Sequence, residues 1–140
     1  MRSFSAFILE DHEGFRRFLT TTLKQQAECK TIAGASDGLE GIQQVEQLHP
    51  DLILLDIGLP TLNGIEVGRR IRDLSPSSKI LFVTQESSAE VVQEAFSLGA
   101  KGYMLKCDAA QLLEAVDAVL EGEQFISAHL KRMYPASAAV

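Results

Sequence analysis

Five short apolar runs punctuate the chain, at Ala6–Leu9, Thr31–Ala33, Leu52–Leu55, Ile80–Val83 and Tyr103–Leu105. Each is too short for a helix, and its apolar residues follow one another with little alternation, the pattern of strands buried on both faces. Between the runs the period changes. Apolar positions recur at helical spacing through Phe15, Phe18, Leu19, Thr22 and Leu23, then Leu39, Ile42 and Val45, then Val67, Ile71 and Leu74. The same spacing returns in Val91, Val92, Ala95 and Phe96 and in Leu112, Leu113, Val116, Val119 and Leu120. One apolar stripe per segment predicts five amphipathic helices.

Boundary residues agree with this alternation. Asp37 with Glu40, Asn63 with Glu66, Ser87 with Glu90 and Asp108 with Gln111 carry capping-box spacing ahead of the periodic stretches. Pro50 disfavours helix at His49, and Gly99 and Gly122 can take the left-handed conformation after the fourth and fifth helices. The order is (βα)₅. Right-handed crossovers then place helices on both faces of a parallel sheet, a doubly wound α/β fold. In such sheets the ligand crevice lies outside the carboxyl ends of the strands. From Ile126 onward, Lys131, Arg132, Pro135 and the small residues Ala136 to Ala139 read as a fraying end or the start of a linker. The expected division is a domain over residues 1–126 and a tail over 127–140.

Composition narrows the function classes. A length of 140 residues suits one domain, and 46% hydrophobic with 23% charged residues is the balance of a soluble globular protein. No apolar stretch approaches the roughly 20 residues that span a bilayer. The basic, then apolar N-terminus meets Glu10 and Asp11 where a signal peptide needs a longer core, so it reads as a first strand. A charge of -6, from 13 Lys+Arg against 19 Asp+Glu, disfavours a grip on nucleic acid by this domain and favours protein partners. Cys29 and Cys107 match no zinc spacing and read as packing thiols.

The chemistry gathers at the strand ends. Glu10 and Asp11 follow the first run, Asp56 the third, Thr84 closes the fourth and Lys106 follows the fifth. Two unit charges about 4 Å apart repel by about 4 kcal/mol at an effective dielectric of about 20, so three convergent carboxylates call for a cation. Oxygen ligands on a shallow loop edge suit Mg²⁺. His12 reads as a capping or solvated residue rather than a ligand. With the metal, the Asp56 carboxylate can attack phosphorus and form an acyl phosphate. Lys106 and the Thr84 hydroxyl would then neutralise the phosphoryl oxygens. Tyr103, taken alone, reads as a half-buried strand aromatic with a hydrated hydroxyl.

The segments Ile8-Leu9-Glu10-Asp11-His12, Ala33-Gly34-Ala35-Ser36-Asp37-Gly38, Pro50-Asp51-Leu52-Ile53-Leu54-Leu55-Asp56, Gly99-Ala100-Lys101-Gly102-Tyr103 and Leu105-Lys106 resemble the receiver domain of two-component response regulators. The wording is closest to the nitrate-response and nodulation-regulator branch, and the likeness runs from about Phe4 to Phe125. It implies a five-stranded, flavodoxin-like sheet in the order 2-1-3-4-5 and a cytoplasmic signalling protein that catalyses only its own phosphorylation and dephosphorylation. It also implies that Asp56 is the phosphoacceptor and that Glu10, Asp11, Asp56 and the Gly58 backbone carbonyl hold Mg²⁺. Thr84 and Lys106 would bind the phosphoryl group, with Tyr103 following Thr84 as a switch. The implied donor is a phosphohistidine on a sensor histidine kinase, replaceable by small acyl phosphates, and phosphorylation is expected to favour a homodimer. DNA would be reached only through an output domain, and the end at Val140 is read as a stand-alone or truncated receiver.

Three positions depart from the family pattern. Gln85 replaces a small residue and would restrict access to the phosphoryl group, Gly58 leaves the site without a side chain above it, and Cys107 stands where many relatives have proline. A receiver acting as a phosphorylation-independent protein-binding module is an alternative, opposed by the presence of all five site residues. A haloacid-dehalogenase-like phosphohydrolase would want an acid at Gly58, and a flavodoxin-like cofactor carrier would want a phosphate-cradling loop after the first strand.

Overall fold

A computed structural model describes residues 3–135. Strands and helices alternate as β1 (Phe4–Leu9), α1 (Glu13–Leu23), β2 (Cys29–Ala35), α2 (Gly38–Leu48), β3 (Leu52–Leu55), α3 (Gly64–Leu74), β4 (Lys79–Thr84), α4 (Ala89–Ser97), β5 (Gly102–Leu105) and α5 (Leu112–Leu120). A short strand β6 (Phe125–Ile126) and a helix α6 (Ala128–Met133) follow. The sheet is parallel throughout, in the order β2-β1-β3-β4-β5-β6. Because the chain runs outward from β1 to β2 and then returns to β3 on the other side, the order reverses between β1 and β3. That reversal opens the crevice above their carboxyl ends.

The unalternated strands are explained by two separate apolar layers. Phe7, Leu9, Ile53, Leu55 and Phe82 point to the layer shared with α2, α3 and α4. Their chain neighbours Ala6, Ile8, Leu52, Leu54, Leu81 and Val83 point to the layer under α1 and α5. Both sets are buried, so consecutive positions must be apolar. β2 departs from this expectation: as an edge strand it exposes Lys30 and Thr31 and only half-buries Ile32 and Ala33.

Helix starts follow the caps with two corrections. The Asp37 carboxylate accepts from the N–H groups of Leu39 and Glu40, and the Asn63 side chain from those of Ile65 and Glu66. α4 starts one residue later than its capping box suggests, with Ser88 rather than Ser87 accepting from the Val91 N–H. Lys106–Gln111 forms a 3₁₀ turn ahead of α5. Asp108 and Gln111 therefore cap no helix of their own. They accept instead from the N–H groups of His129 (2.9 Å) and Ala128 (2.8 Å) and so finish the first turn of α6. His49 (φ 45°), Gly99 (φ 112°) and Gly122 (φ 86°) end helices in the left-handed conformation.

The five-stranded expectation is extended to six, and the segment read as a fraying end is ordered over residues 127–134. β6 adds to β5 through hydrogen bonds from Phe125 N to Lys101 O and Ser127 N to Tyr103 O. Leu130 of α6 is buried in the layer beside α4. A strand of two residues and a helix of six are too short to leave a readable period. Residues 136–140 of the expected tail lie outside the described residues.

Two tests follow. The N–H of Gly64 donates to the Ile57 carbonyl at 2.8 Å, and a Cβ there would overlap the Asp56 carbonyl oxygen and lie 2.6 Å from Ile57 Cα. Gly64→Ala is expected to destabilise by about 1–3 kcal/mol in urea unfolding, since backbone rather than a flexible side chain must yield. The Asp37 carboxyl is held below the usual range by the N–H groups of Glu40 and Leu39. Its stabilising contribution is present above the unfolded value of about 3.9 and is lost as pH falls through the lower folded value. Asp37→Asn keeps a cap, so its Tm should match the wild type at pH 7 and fall less between pH 5 and pH 2.5.

Candidate functional site

The carboxyl edge of the sheet carries an open cleft of about 590 Å³, lined by Asp11, His12, Phe15, Asp56, Ile57, Gly58, Thr84, Gln85, Glu86 and Lys106. Each strand delivers its terminal residue there because a parallel sheet ends all its strands on one side. Asp56 N donates to Leu9 O and Glu10 N to Ala35 O, which extends the ladder to the first loop residues and fixes both carboxylates relative to β1. Glu10 (1% exposed) and Asp56 (5%) are buried, whereas Asp11 faces solvent.

Lys106 organises the centre. Its ammonium lies 3.0 Å from Glu10 Oε1 and 3.1 Å from Oε2, donating to the latter, and also donates to Asp56 Oδ2 at 3.1 Å. Below it the Phe15 ring offers its face, with the ammonium 4.8 Å from the centroid. Burial works against the charge on Lys106, but its bonds to Glu10 and Asp56 outweigh that cost and push its pKa upward. Burial raises the Glu10 pKa, opposed by the His12 N–H and by Lys106 and assisted by the Asp56 charge. Removing one partner from a buried pair of this kind leaves an unmatched charge at a cost of about 3–5 kcal/mol.

The remaining contacts hold the loops. Gly58 N donates to Asp56 Oδ1 at 3.2 Å, while Arg16 Nη1 donates to the Glu10 carbonyl at 2.6 Å. His12 caps α1 through its Nδ1, which accepts from Phe15 N at 3.0 Å, as the capping reading expects. Thr84, 2% exposed, accepts from Glu86 N on its Oγ1 at 3.3 Å. Open space surrounds the position a Gly58 side chain would take, and Gln85 is exposed at the rim.

Three carboxylates converge here as a cation site requires. One carboxylate oxygen from each of Glu10, Asp11 and Asp56 lies within 4.8 Å of the others. Glu10 Oε1 is buried, ion-paired with the Lys106 ammonium at 3.0 Å and otherwise without a hydrogen-bond partner among the described residues, so a hard ion there would share it with Lys106. The donor set is all oxygen, which fits Mg²⁺ and excludes a thiolate or imidazole preference.

Tyr103 differs from its expected state. The ring is fully buried, 6.0 Å from that of Phe82, and its hydroxyl donates to the Glu86 carbonyl at 2.7 Å instead of meeting water. Burial raises its pKa far above the usual phenol value, with the Glu86 and Asp56 charges adding to the effect. Phe15, Arg16 and Glu86 escape sequence reading. Phe15 belongs to the apolar stripe of α1, and nothing in its spacing marks it as the seat of an ammonium.

Comparison with known proteins agrees with this geometry. Residues 6–117 match the family model described as the response regulator receiver domain. The chain is 35% identical over 120 residues to the transcriptional regulatory protein DegU of Brevibacillus brevis, covering 85% of this chain and 51% of that protein. It is 33% identical over 131 residues to the nitrate/nitrite response regulator protein NarL of Escherichia coli (strain K12), covering 93% of this chain and 61% of that protein. It thus spans little more than half the length of these relatives. Among solved structures, a two-component response regulator of the LuxR family from Aurantimonas sp. SI85-9A1 superposes with a TM-score of 0.89 at 26% identity, covering 99% of both chains. The chain belongs to the response regulator receiver domain family, the phosphorelay signalling module of two-component systems.

Proposed function

We propose that Asp56 is the phosphoacceptor, taking a phosphoryl group from a phosphohistidine of a sensor histidine kinase or from a small acyl phosphate. The observation that carries this reading is the Lys106 ammonium, within 3.1 Å of both Asp56 and Glu10 at the floor of an open cleft. Mg²⁺ bound by Glu10, Asp11, Asp56 and the Gly58 carbonyl would neutralise the carboxylates and one phosphoryl oxygen. An Asp56 oxygen attacks phosphorus as the donor's imidazole nitrogen, or the carboxylate of an acyl phosphate, leaves with the bonding pair. Lys106 then exchanges its hold on the Asp56 carboxylate for a second phosphoryl oxygen, and the Thr84 hydroxyl donates to the third. Tyr103 follows Thr84 through the loop they share at Glu86, a two-state element biased by local charge.

Catalysis is limited to gain and loss of this group. Gly58 in place of an acid two residues after Asp56 opposes a dedicated phosphohydrolase. The chain would act in the cytoplasm, and its output would pass to DNA through a further domain, as the transcriptional role in the names of DegU and NarL suggests.

Intact-protein mass after incubation with acetyl phosphate and Mg²⁺ tests the acceptor. The wild type should gain one phosphoryl mass, and Asp56→Asn or a chelated sample should gain none. Absence of any gain in the wild type would turn the reading to a phosphorylation-independent protein-binding module. Lys106→Met should slow the gain by about 10²- to 10³-fold, the usual loss on deleting one preorganised donor. Gln85→Ala should shorten the lifetime of the phosphorylated form, followed as decay of that mass; an unchanged lifetime would reduce Gln85 to a solvated rim residue. Sedimentation with and without beryllofluoride should show a shift from monomer to dimer.

A further inference from the structure

α6 is fastened to the edge of the site by more than its length requires. Ser127, fully buried, accepts from Leu105 N on its hydroxyl at 3.1 Å, directly before Lys106. Tyr134, just past α6, donates its hydroxyl to the Ser87 carbonyl at 3.0 Å. Two tyrosines therefore hold consecutive carbonyls of one loop, Tyr103 on Glu86 and Tyr134 on Ser87. The same loop is tied to the site by the Glu86 N–H on Thr84 Oγ1.

We propose that Tyr134 makes the docking of α6 depend on the state of Asp56: a phosphoryl group there breaks the Tyr134–Ser87 bond and loosens the end of α6. The inference rests on the reading of Asp56 as phosphoacceptor. A threonine hydroxyl has one proton to give and two lone pairs. Thr84 Oγ1 can keep the Glu86 N–H while its own proton turns to a phosphoryl oxygen, so drawing Oγ1 toward Asp56 draws Glu86 and the carbonyls of residues 86 and 87 with it. Tyr103, enclosed in the core, moves with the loop. Tyr134 is half-buried at the end of a six-residue helix and is the contact that yields.

Packing on that side is incomplete. A hollow of about 520 Å³ lined by Ser87, Lys106, Cys107, His129 and Met133 lies between the loop and the end of α6, so Tyr134 can yield while Ser127 and Leu130 keep the start of the helix in place. A single neutral hydrogen bond sets the scale of the coupling at about five-fold. Linkage requires the same factor in both directions: if phosphorylation loosens α6, a looser α6 favours the phosphorylated state. Whatever follows residue 135 would receive the signal through this helix.

Hydrogen exchange of the 140-residue chain, with and without Mg²⁺ and beryllofluoride, tests the coupling. The Lys131 and Tyr134 amides, bonded to Ser127 and Leu130 carbonyls, report α6. They should exchange about five-fold faster with beryllofluoride in the wild type. In Tyr134→Phe they should be fast in both conditions, and beryllofluoride should bind about five-fold more tightly. If residues 85–88 respond to beryllofluoride while α6 exchange stays constant in the wild type, the coupling is overturned and the Asp56 reading survives. No response in either segment overturns both. A Tyr134→Phe chain with wild-type α6 exchange and wild-type affinity also refutes the role of the hydroxyl.

Discussion

The Lys106 ammonium between Glu10 and Asp56 is the interaction on which the rest of the site depends. Two buried carboxylates this close repel by several kcal/mol, and the ammonium between them offsets that repulsion. It ties the ends of three strands into one centre: Glu10 follows β1, Asp56 follows the adjacent β3 and Lys106 follows β5, two strands further on. The Phe15 face beneath the ammonium keeps it directed inward rather than into solvent. A cation or a phosphoryl group arriving at the cleft enters a charge arrangement already assembled, with Glu10 and Asp56 both paired to the Lys106 ammonium.

That arrangement relies on the burial of the sheet on both faces. The central strands expose almost no side-chain surface, so their register and end points are fixed by the apolar layers on either side. Backbone bonds from Asp56 to Leu9 and from Glu10 to Ala35 carry that fixity one residue past the strands. Close approach of Gly64 to the Asp56 carbonyl then folds the β3–α3 loop tightly back, leaving the space above Gly58 clear. Site and scaffold are thus one packing problem.

The β4–α4 loop is held differently. Three side-chain bonds, from Thr84, Tyr103 and Tyr134, converge on Glu86 and Ser87, and the longest of them leads to the site. The side chains of Gln85 and Glu86 are exposed, so little apolar packing opposes a small displacement there. Rigid carboxylates beside a lightly packed loop suit a domain that binds a phosphoryl group at one place and reports it at another.

Much of this was legible in the chain. Unbroken apolar runs and single-stripe helices give the alternation and the doubly wound class because burial on two faces and on one face leave different periods. Asp37 and Asn63 cap the helices they precede because an N-cap acts within three residues. Glu10, Asp11, Asp56, Thr84 and Lys106 were identifiable because a parallel sheet presents every strand's carboxyl end on one edge. Tertiary contacts alone determined the roles of Asp108 and Gln111, which sit at capping spacing but serve α6, and the ordering of residues 127–134, whose elements are too short for a period. They alone placed Phe15 under Lys106, sealed Tyr103 from water and set Tyr134 on Ser87. Local spacing encodes what neighbours along the chain do to one another, whereas these pairings join residues from 17 positions apart, Tyr103 and Glu86, to 91 apart, Phe15 and Lys106, and exist only once the sheet has brought their elements together.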